Sequence, residues 1–147
     1  MATVNRTDGN TSFPHLGLDR RHVISKRIDL SATNSVASDT LQCINIPAKT
    51  FVEQVLVEVI TAEGGTLTAT VGDGTDPNGW DASVDLNAAV GTVTSGLNGT
   101  DAYMANPGKY YSAADTIDLV MSANAGDTAV FAIHVICTDL SETPIAS

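Results

Sequence analysis

Aromatic residues make up only 5% of this chain, cysteines number two and basic residues seven. Each shortage excludes something. Cys43 and Cys137 have neither zinc-ligand spacing nor the spacing of a redox pair, and both fall in apolar, strand-like runs, so buried free thiols are expected. No run approaches the roughly twenty apolar residues of a membrane helix, and the opening MATVNRTDGNTSFPHLG lacks the apolar stretch of a signal peptide. Folding in a cytosol is therefore expected, and the Asn-x-Ser/Thr triplets at Asn5, Asn10 and Asn98 are not expected to carry glycans. No segment has a helical period and no repeat recurs at solenoid spacing.

The few bases are placed unevenly. Residues 1–27 hold Arg6, Arg20, Arg21, Lys26 and Arg27 against two acids, a net +3, while residues 28–147 hold two bases against fifteen acids, a net −13. Such a body repels nucleic acid and anionic membrane at long range, whereas its basic end is drawn to an acidic surface. Residues 1–22 are polar, without apolar periodicity, and broken by Gly9, Pro14 and Gly17. They are expected to form an extended N-terminal arm that a partner orders, ahead of one domain over 23–147.

That domain is 43% hydrophobic across the whole chain's composition, mostly through Val, Ile, Leu and Ala, and Thr and Val alternate in it. At 147 residues the chain is long enough to bury roughly 70% of its unfolded surface without metal or disulfide. Strands are expected over 23–30, over 41–46 up to Pro47, and over 51–62, where Val55, Val57 and Val59 share one face and Leu56 and Ile60 share the other with Gln54 and Glu58. Glu63-Gly64-Gly65 predicts a hairpin into Leu67, Ala69 and Val71. After a turn-rich loop, 72–81, Ala82, Val84 and Leu86 alternate, with 90–94 continuing that strand or pairing with it. Beyond a polar connection over 95–112, a last hairpin joins 116–122 to 128–140 across Asn124–Asp127. Its final strand is apolar on both sides and so belongs at the centre of its sheet. The fold class is all-β, a single β-sandwich with jelly-roll or Greek-key connections.

Little in this pattern can run a reaction. No serine lies in a nucleophile elbow, His134 and Cys137 are on opposite strand faces, and Gly72-Asp73-Gly74 is not a phosphate-binding fingerprint. No enzyme and no cofactor are expected. The best polar cluster is Asp73, Asp76, Asn78 and Asp81, a weak calcium candidate that lacks the terminal bidentate Glu of an EF-hand and has the composition of ordinary turns. Trp80, Tyr103, Tyr110 and Tyr111 all fall in the two loop regions. Exposed there, they would anchor a protein interface or stack on sugar rings; otherwise they cap the ends of the sandwich.

The stretch from Ile28 to Asp81 (IDLSATNS, then NIPAKTFVEQVLVEVITAEGGTLTATVGDGTDPNGWD), together with GKYYSAADTIDLVMSA nearer the C-terminus, resembles the small head proteins of tailed bacteriophages that decorate, or cement, an assembled capsid. The resemblance covers most of residues 23–140 and rests on strand-and-turn texture. It implies a compact jelly-roll or related β-domain, commonly trimeric, on the virion surface. There it would clamp neighbouring major capsid subunits, with a terminal arm often doing part of the clamping. The partners so implied are the major capsid protein and copies of the chain itself. The protein-binding candidates are then Arg6, Arg20, Arg21, Lys26 and Arg27 with Trp80, Tyr103, Tyr110 and Tyr111. The rival expectation is a carbohydrate- or receptor-binding β-domain of a phage tail or adhesin, which would use the same aromatics. A calcium-stabilised bacterial surface module ranks below both.

Overall fold

The computed structural model describes residues 21–95, 101–105, 108–122 and 124–141. Through them run nine strands: β1 (Arg21–Asp29), β2 (Thr40–Ile46), β3 (Thr50–Thr61), β4 (Thr68–Gly72), β5 (Asp81–Asp85), β6 (Val93–Thr94), β7 (Lys109–Tyr111), β8 (Asp115–Met121) and β9 (Val130–Asp139). A single helical turn, α1 (Ala102–Ala105), precedes β7. The strands form two antiparallel sheets. The first has the order β1-β9-β3-β6, with β7 also on β3, and the second has the order β2-β8-β4-β5. The chain is a β-sandwich. Its pairs nest: β1 lies on β9, β2 on β8, β3 on β6 and β7, and β4 on β5.

Alternation explains why the two sheets face one another. In the first sheet, Val52, Val55, Val57 and Val59 of β3 and Phe131, Ile133, Val135 and Cys137 of β9 point inward and are buried. In the second, Ile44, Ile46, Ala69, Val71, Val84, Ile117, Leu119 and Met121 meet them. Each large aliphatic or aromatic side chain so buried contributes about 1.5–3 kcal/mol relative to exposure, which is what holds the layers together. β9 lies between β1 and β3, the central place its doubly apolar pattern requires.

Both expected hairpins are overturned. β3 does not pair with β4, which lies in the other sheet between β8 and β5, and β8 does not pair with β9. A period of two marks a strand with one buried face, but a chain that turns the corner into the opposite sheet buries the same face against the same core. The corner after β3 shows how this is held. The Glu63 carboxylate accepts the backbone N–H groups of Asp127 at 2.9 Å, Thr128 at 3.1 Å and Ala129 at 2.6 Å, tying the end of β3 to the start of β9. Next to it Gly64, at φ +88°, gives its N–H to Asn87 Oδ1 at 2.8 Å.

Other bounds shift as well. Val93 and Thr94 pair with β3, opposite Glu58 and Val57, and do not join β5. The connection over 95–112 contains α1 and β7. Arg21 and His22, assigned to the arm from sequence, belong to β1 and lie opposite Thr138 and Cys137. Cys43 and Cys137 are free, buried and in opposite sheets. Burial pushes the Cys43 thiol up to about 11, and burial with the nearby Asp139 and Glu53 raises Cys137. Both stay protonated, poor nucleophiles near neutral pH.

Candidate functional site

One end of the sandwich is closed by a polar plug built from both sheets. Asp73 leaves β4 directly after Gly72, and its side chain is fully buried. Oδ1 accepts the N–H groups of Thr75 and Asp76, each at 2.9 Å, and the Tyr103 hydroxyl at 3.1 Å. Oδ2 accepts the Lys109 ammonium at 2.6 Å and the Tyr111 hydroxyl at 2.8 Å, and that hydroxyl in turn accepts the Trp80 indole N–H at 3.1 Å. Lys109, from β7, also donates to the Tyr103 hydroxyl at 2.9 Å and lies 4.4 and 4.7 Å from the ring centroids of Tyr103 and Tyr111. Trp80 meets Tyr103 edge-on with centroids 5.2 Å apart. Position 79 has to be glycine for this, because a Cβ there would run into the Tyr103 ring.

The charges of the plug are fixed by these contacts. Burial alone would raise Asp73, but Lys109, the Asp76 N–H, Tyr111 and the Thr75 N–H outweigh it and hold the carboxyl below its ordinary value. Burial likewise works against the Lys109 ammonium, and Asp73 and Tyr103 raise it regardless. Tyr111 is pushed well up, chiefly by burial, so it remains a neutral donor.

This geometry corrects two expectations. Trp80 is 1% exposed and Tyr111 is buried, so neither is an exposed anchor; Tyr103 is half-buried in the same plug, and of the four rings Tyr110 alone stands out, 49% exposed. The loop acids are also used otherwise than for calcium. Asp73 takes its cation from Lys109, Asp76 accepts the Asn78 N–H at 3.3 Å, and Asp81 accepts the Ser83 N–H at 2.9 Å. Among the described residues no group of three or more His, Cys, Asp or Glu side chains is arranged to hold a metal ion. Lys109 was missed from sequence because it lies 36 residues from Asp73. The Lys109-Tyr110-Tyr111 run, a base among aromatics in an acidic chain, was the available signal.

The basic candidates divide. Arg6 and Arg20 lie outside the described residues. Arg21 is engaged by its own domain, giving Glu53 a two-pronged bond at 3.0 and 2.9 Å. Arg27 pairs with Asp29 at 3.3 Å, and Lys26 is exposed on the same strand. β1 is an edge strand, so these charges line one border of the first sheet.

No protein-family model and no curated protein sequence matches the chain. Solved structures do match. A chain of the acidic stable capsid structure of Helicobacter pylori bacteriophage KHP30 superposes with a TM-score of 0.61 at 11% identity, covering 83% of this chain and 90% of that one. A chain of the capsid of Ralstonia phage GP4 gives 0.62 at 15% identity, covering 83% and 86%, and one of the cyanophage Pam1 capsid asymmetric unit gives 0.55 at 15%, covering 81% and 86%. This sandwich is a fold that bacteriophage capsids use. At such identities the likeness is one of fold.

In this sandwich the two outer faces differ. Outward positions of the second sheet carry Thr40, Gln42 and Asn45 of β2, Thr116 and Val120 of β8, and Thr68 and Thr70 of β4, while Asp118 of β8 is buried. Those of the first sheet run in rows across β1, β9 and β3: Val23, Ile136 and Gln54; then Ser25, His134 and Leu56; then Arg27, Ala132 and Glu58, with Val93 of β6 beside Glu58. His134 of the middle row has its Nε2 3.0 Å from Oε2 of Glu58 in the next row, and its Nδ1 2.7 Å from Ser25 Oγ. With the carboxylate accepting from Nε2, Nδ1 is left to accept the Ser25 proton. These are the residue types of a hydrolytic triad, but acyl transfer also needs a cleft and converging N–H donors. Here the three lie on an open sheet surface, and the grooves near Pro47, Leu41 and Tyr110 are lined by other residues. The arrangement ties three neighbouring strands together.

Proposed function

We propose that this protein is a non-enzymatic structural component of a bacteriophage virion that binds the outer surface of the assembled capsid and stabilises it by clamping neighbouring major capsid subunits. The observation that supports this most is the fold, shared with chains of three phage capsid structures over more than four fifths of this chain. We read the nested strand pairs as jelly-roll connections, which agrees with that proposal. In it the protein is made in the host cytoplasm and joins the particle as a homotrimer, so that weak contacts repeated by symmetry gain avidity. The raised thiol pKa values and the open setting of Ser25, His134 and Glu58 agree with a role without catalysis. With Trp80 and Tyr111 inside the plug, the carbohydrate-binding alternative loses two of its four stacking rings.

The attachment element in this proposal is the N-terminal segment with Arg6 and Arg20, whose guanidinium groups suit bidentate pairing with carboxylates. Co-sedimentation with purified empty capsids tests it. Wild type should bind, and deletion of residues 1–20 or the Arg6→Ala/Arg20→Ala pair should cut occupancy sharply. The deletion should change domain stability by no more than about 1 kcal/mol. Arg21→Ala, which removes a pair internal to the domain, should leave occupancy nearly unchanged. Equal occupancy for every variant moves the docking surface away from the N-terminal segment, and a wild type that never sediments with capsids ends the capsid reading.

A further inference from the structure

β1 borders the first sheet and runs against β9 in unbroken register over nine residues. Just past its end the Leu30 N–H donates to the Ala129 carbonyl at 2.9 Å, which fixes the phase of the ladder. Residues of an antiparallel pair alternate between bonding the partner strand and turning both backbone groups away from it. Ile24, Lys26 and Ile28 therefore bond β9, and Val23, Ser25 and Arg27 point their N–H and C=O groups outward. The Asp29 carbonyl agrees, since it turns away from β9 to accept the Thr33 N–H at 3.3 Å. Among the described residues no protein group bonds the outward backbone of Val23, Ser25 and Arg27. The other borders are blunted. β2 is interrupted by a register shift between Gln42 and Ile44, β5 gives the Ser83 N–H to the Asp81 carboxylate, and β6 and β7 are two and three residues long.

We infer that this edge takes up a further strand, an extended acidic segment of a partner protein. β1 carries Arg21, Lys26 and Arg27 against Asp29, in a chain of net −10. Arg21 is held by Glu53 and Arg27 by Asp29, but Lys26, exposed and opposite Ile133, makes no ion pair among the described residues. Two copies meeting along β1 would crowd their bases into one seam, so the edge is guarded against its own kind and open to a strand that brings an acid. The incoming backbone would bond Val23, Ser25 and Arg27. Its alternate side chains would enter the gap between the sheets, which opens beside Ile24 and Pro47 at one end and beside Ile28 and Leu41 at the other. The inference rests on the capsid reading for the source of the strand, a capsid subunit, and adds the contact by which that subunit is held.

Amide exchange of the full chain with a short synthetic peptide of alternating valine and glutamate tests the edge without capsids. The peptide should slow exchange at Val23, Ser25 and Arg27, whose N–H groups point outward, and a twin with lysine in place of glutamate should not. On empty capsids, Val23→Pro removes one outward N–H and no bond to β9, so it should cut occupancy at least about tenfold while circular dichroism stays unchanged. Lys26→Glu should weaken attachment comparably without touching the backbone. Val90→Glu, which adds an acid at an exposed position away from β1, should leave occupancy intact. A glutamate peptide that protects none of the three amides overturns the inference. Capsids that hold both β1 variants as well as wild type overturn it too, while the capsid reading stands. A wild type that never sediments with capsids ends the capsid reading, and the peptide then decides the edge by itself.

Discussion

Along β1, β9 and β3 the outward positions hold Val23, Ile136 and Leu56 among Ser25, Gln54, His134 and Glu58, whereas along β2, β8 and β4 they hold Thr40, Thr68 and Thr70 with Val120. The inward positions of the two sheets are alike, since both must fill one core. Folding therefore constrains the inner faces equally and leaves the outer ones to other demands. Threonine in a strand serves β-propensity and water together, which is all that a solvated face needs. Val23 and Val93 of the other sheet, both more than half exposed, add little to the core.

The comparison is broken most severely where the sheets are joined. Asp73 belongs to the second sheet's β4 connection, and Lys109 and Tyr111 belong to β7 of the first. Asp73→Ala strands an ammonium and a buried hydroxyl. With Lys109 still 21% exposed, the loss should fall at the low end for a broken buried pair, about 3 kcal/mol in a urea titration with the slope unchanged. A depressed Asp73 contributes stability that is present above the unfolded carboxyl value, near 4, and is lost as pH falls through the lower folded value. A raised Lys109 contributes stability that is present below its unfolded value, near 10.4, and is lost as pH rises through the higher folded one. Asp73→Asn should flatten both limbs of the stability–pH curve, and a variant with wild-type limbs would deny the pair its role.

A smaller effect is expected at the opposite end, where among the described residues no charge pair joins the sheets and Glu63 instead gathers three backbone N–H groups within the first. Much of that clasp is solvent-exposed, so Glu63→Ala should cost about 1.5 kcal/mol. Amide exchange at Asp127, Thr128 and Ala129 should accelerate more than at β8, which sharpens the contrast between the two sheets. Uniform acceleration would mean that the corner is held by something else.

The smallest stability effects belong to the outer faces themselves. Val23→Glu and Thr40→Glu, measured under conditions that keep the protein monomeric, should each change stability by no more than about 0.5 kcal/mol. A large cost for Val23→Glu alone would show that the valine serves the fold, and the contrast between the faces would then be one of packing.

Much of this architecture is written in local pattern. The alternation over β3 and the two apolar sides of β9 follow from a backbone that turns each successive side chain to the opposite face, so strand identity, buried face and the central place of β9 were legible from residues such as Val55, Val57 and Phe131. Glu58 and Leu56, alternating on one outer face, already marked that face as mixed. The acidic body was equally plain from composition.

Partnership was decided only in three dimensions. Nothing local to Glu63-Gly64-Gly65 distinguishes a hairpin from a corner into the other sheet, because both bury the same alternate residues; the choice is made by Ile117, Leu119 and Met121 of β8, some fifty residues on, which β4 joins as a neighbour. The loop positions of Trp80 and Tyr111 left exposure and end-capping both open; a buried carboxylate 38 residues before Tyr111 draws the hydroxyl inward, and Trp80 follows it. The sequence by itself determined which residues alternate and which charges the chain carries. The tertiary structure decided which strands meet and that Asp73 is held by Lys109, since each depends on groups brought together by a core that exists only once both sheets have closed on it.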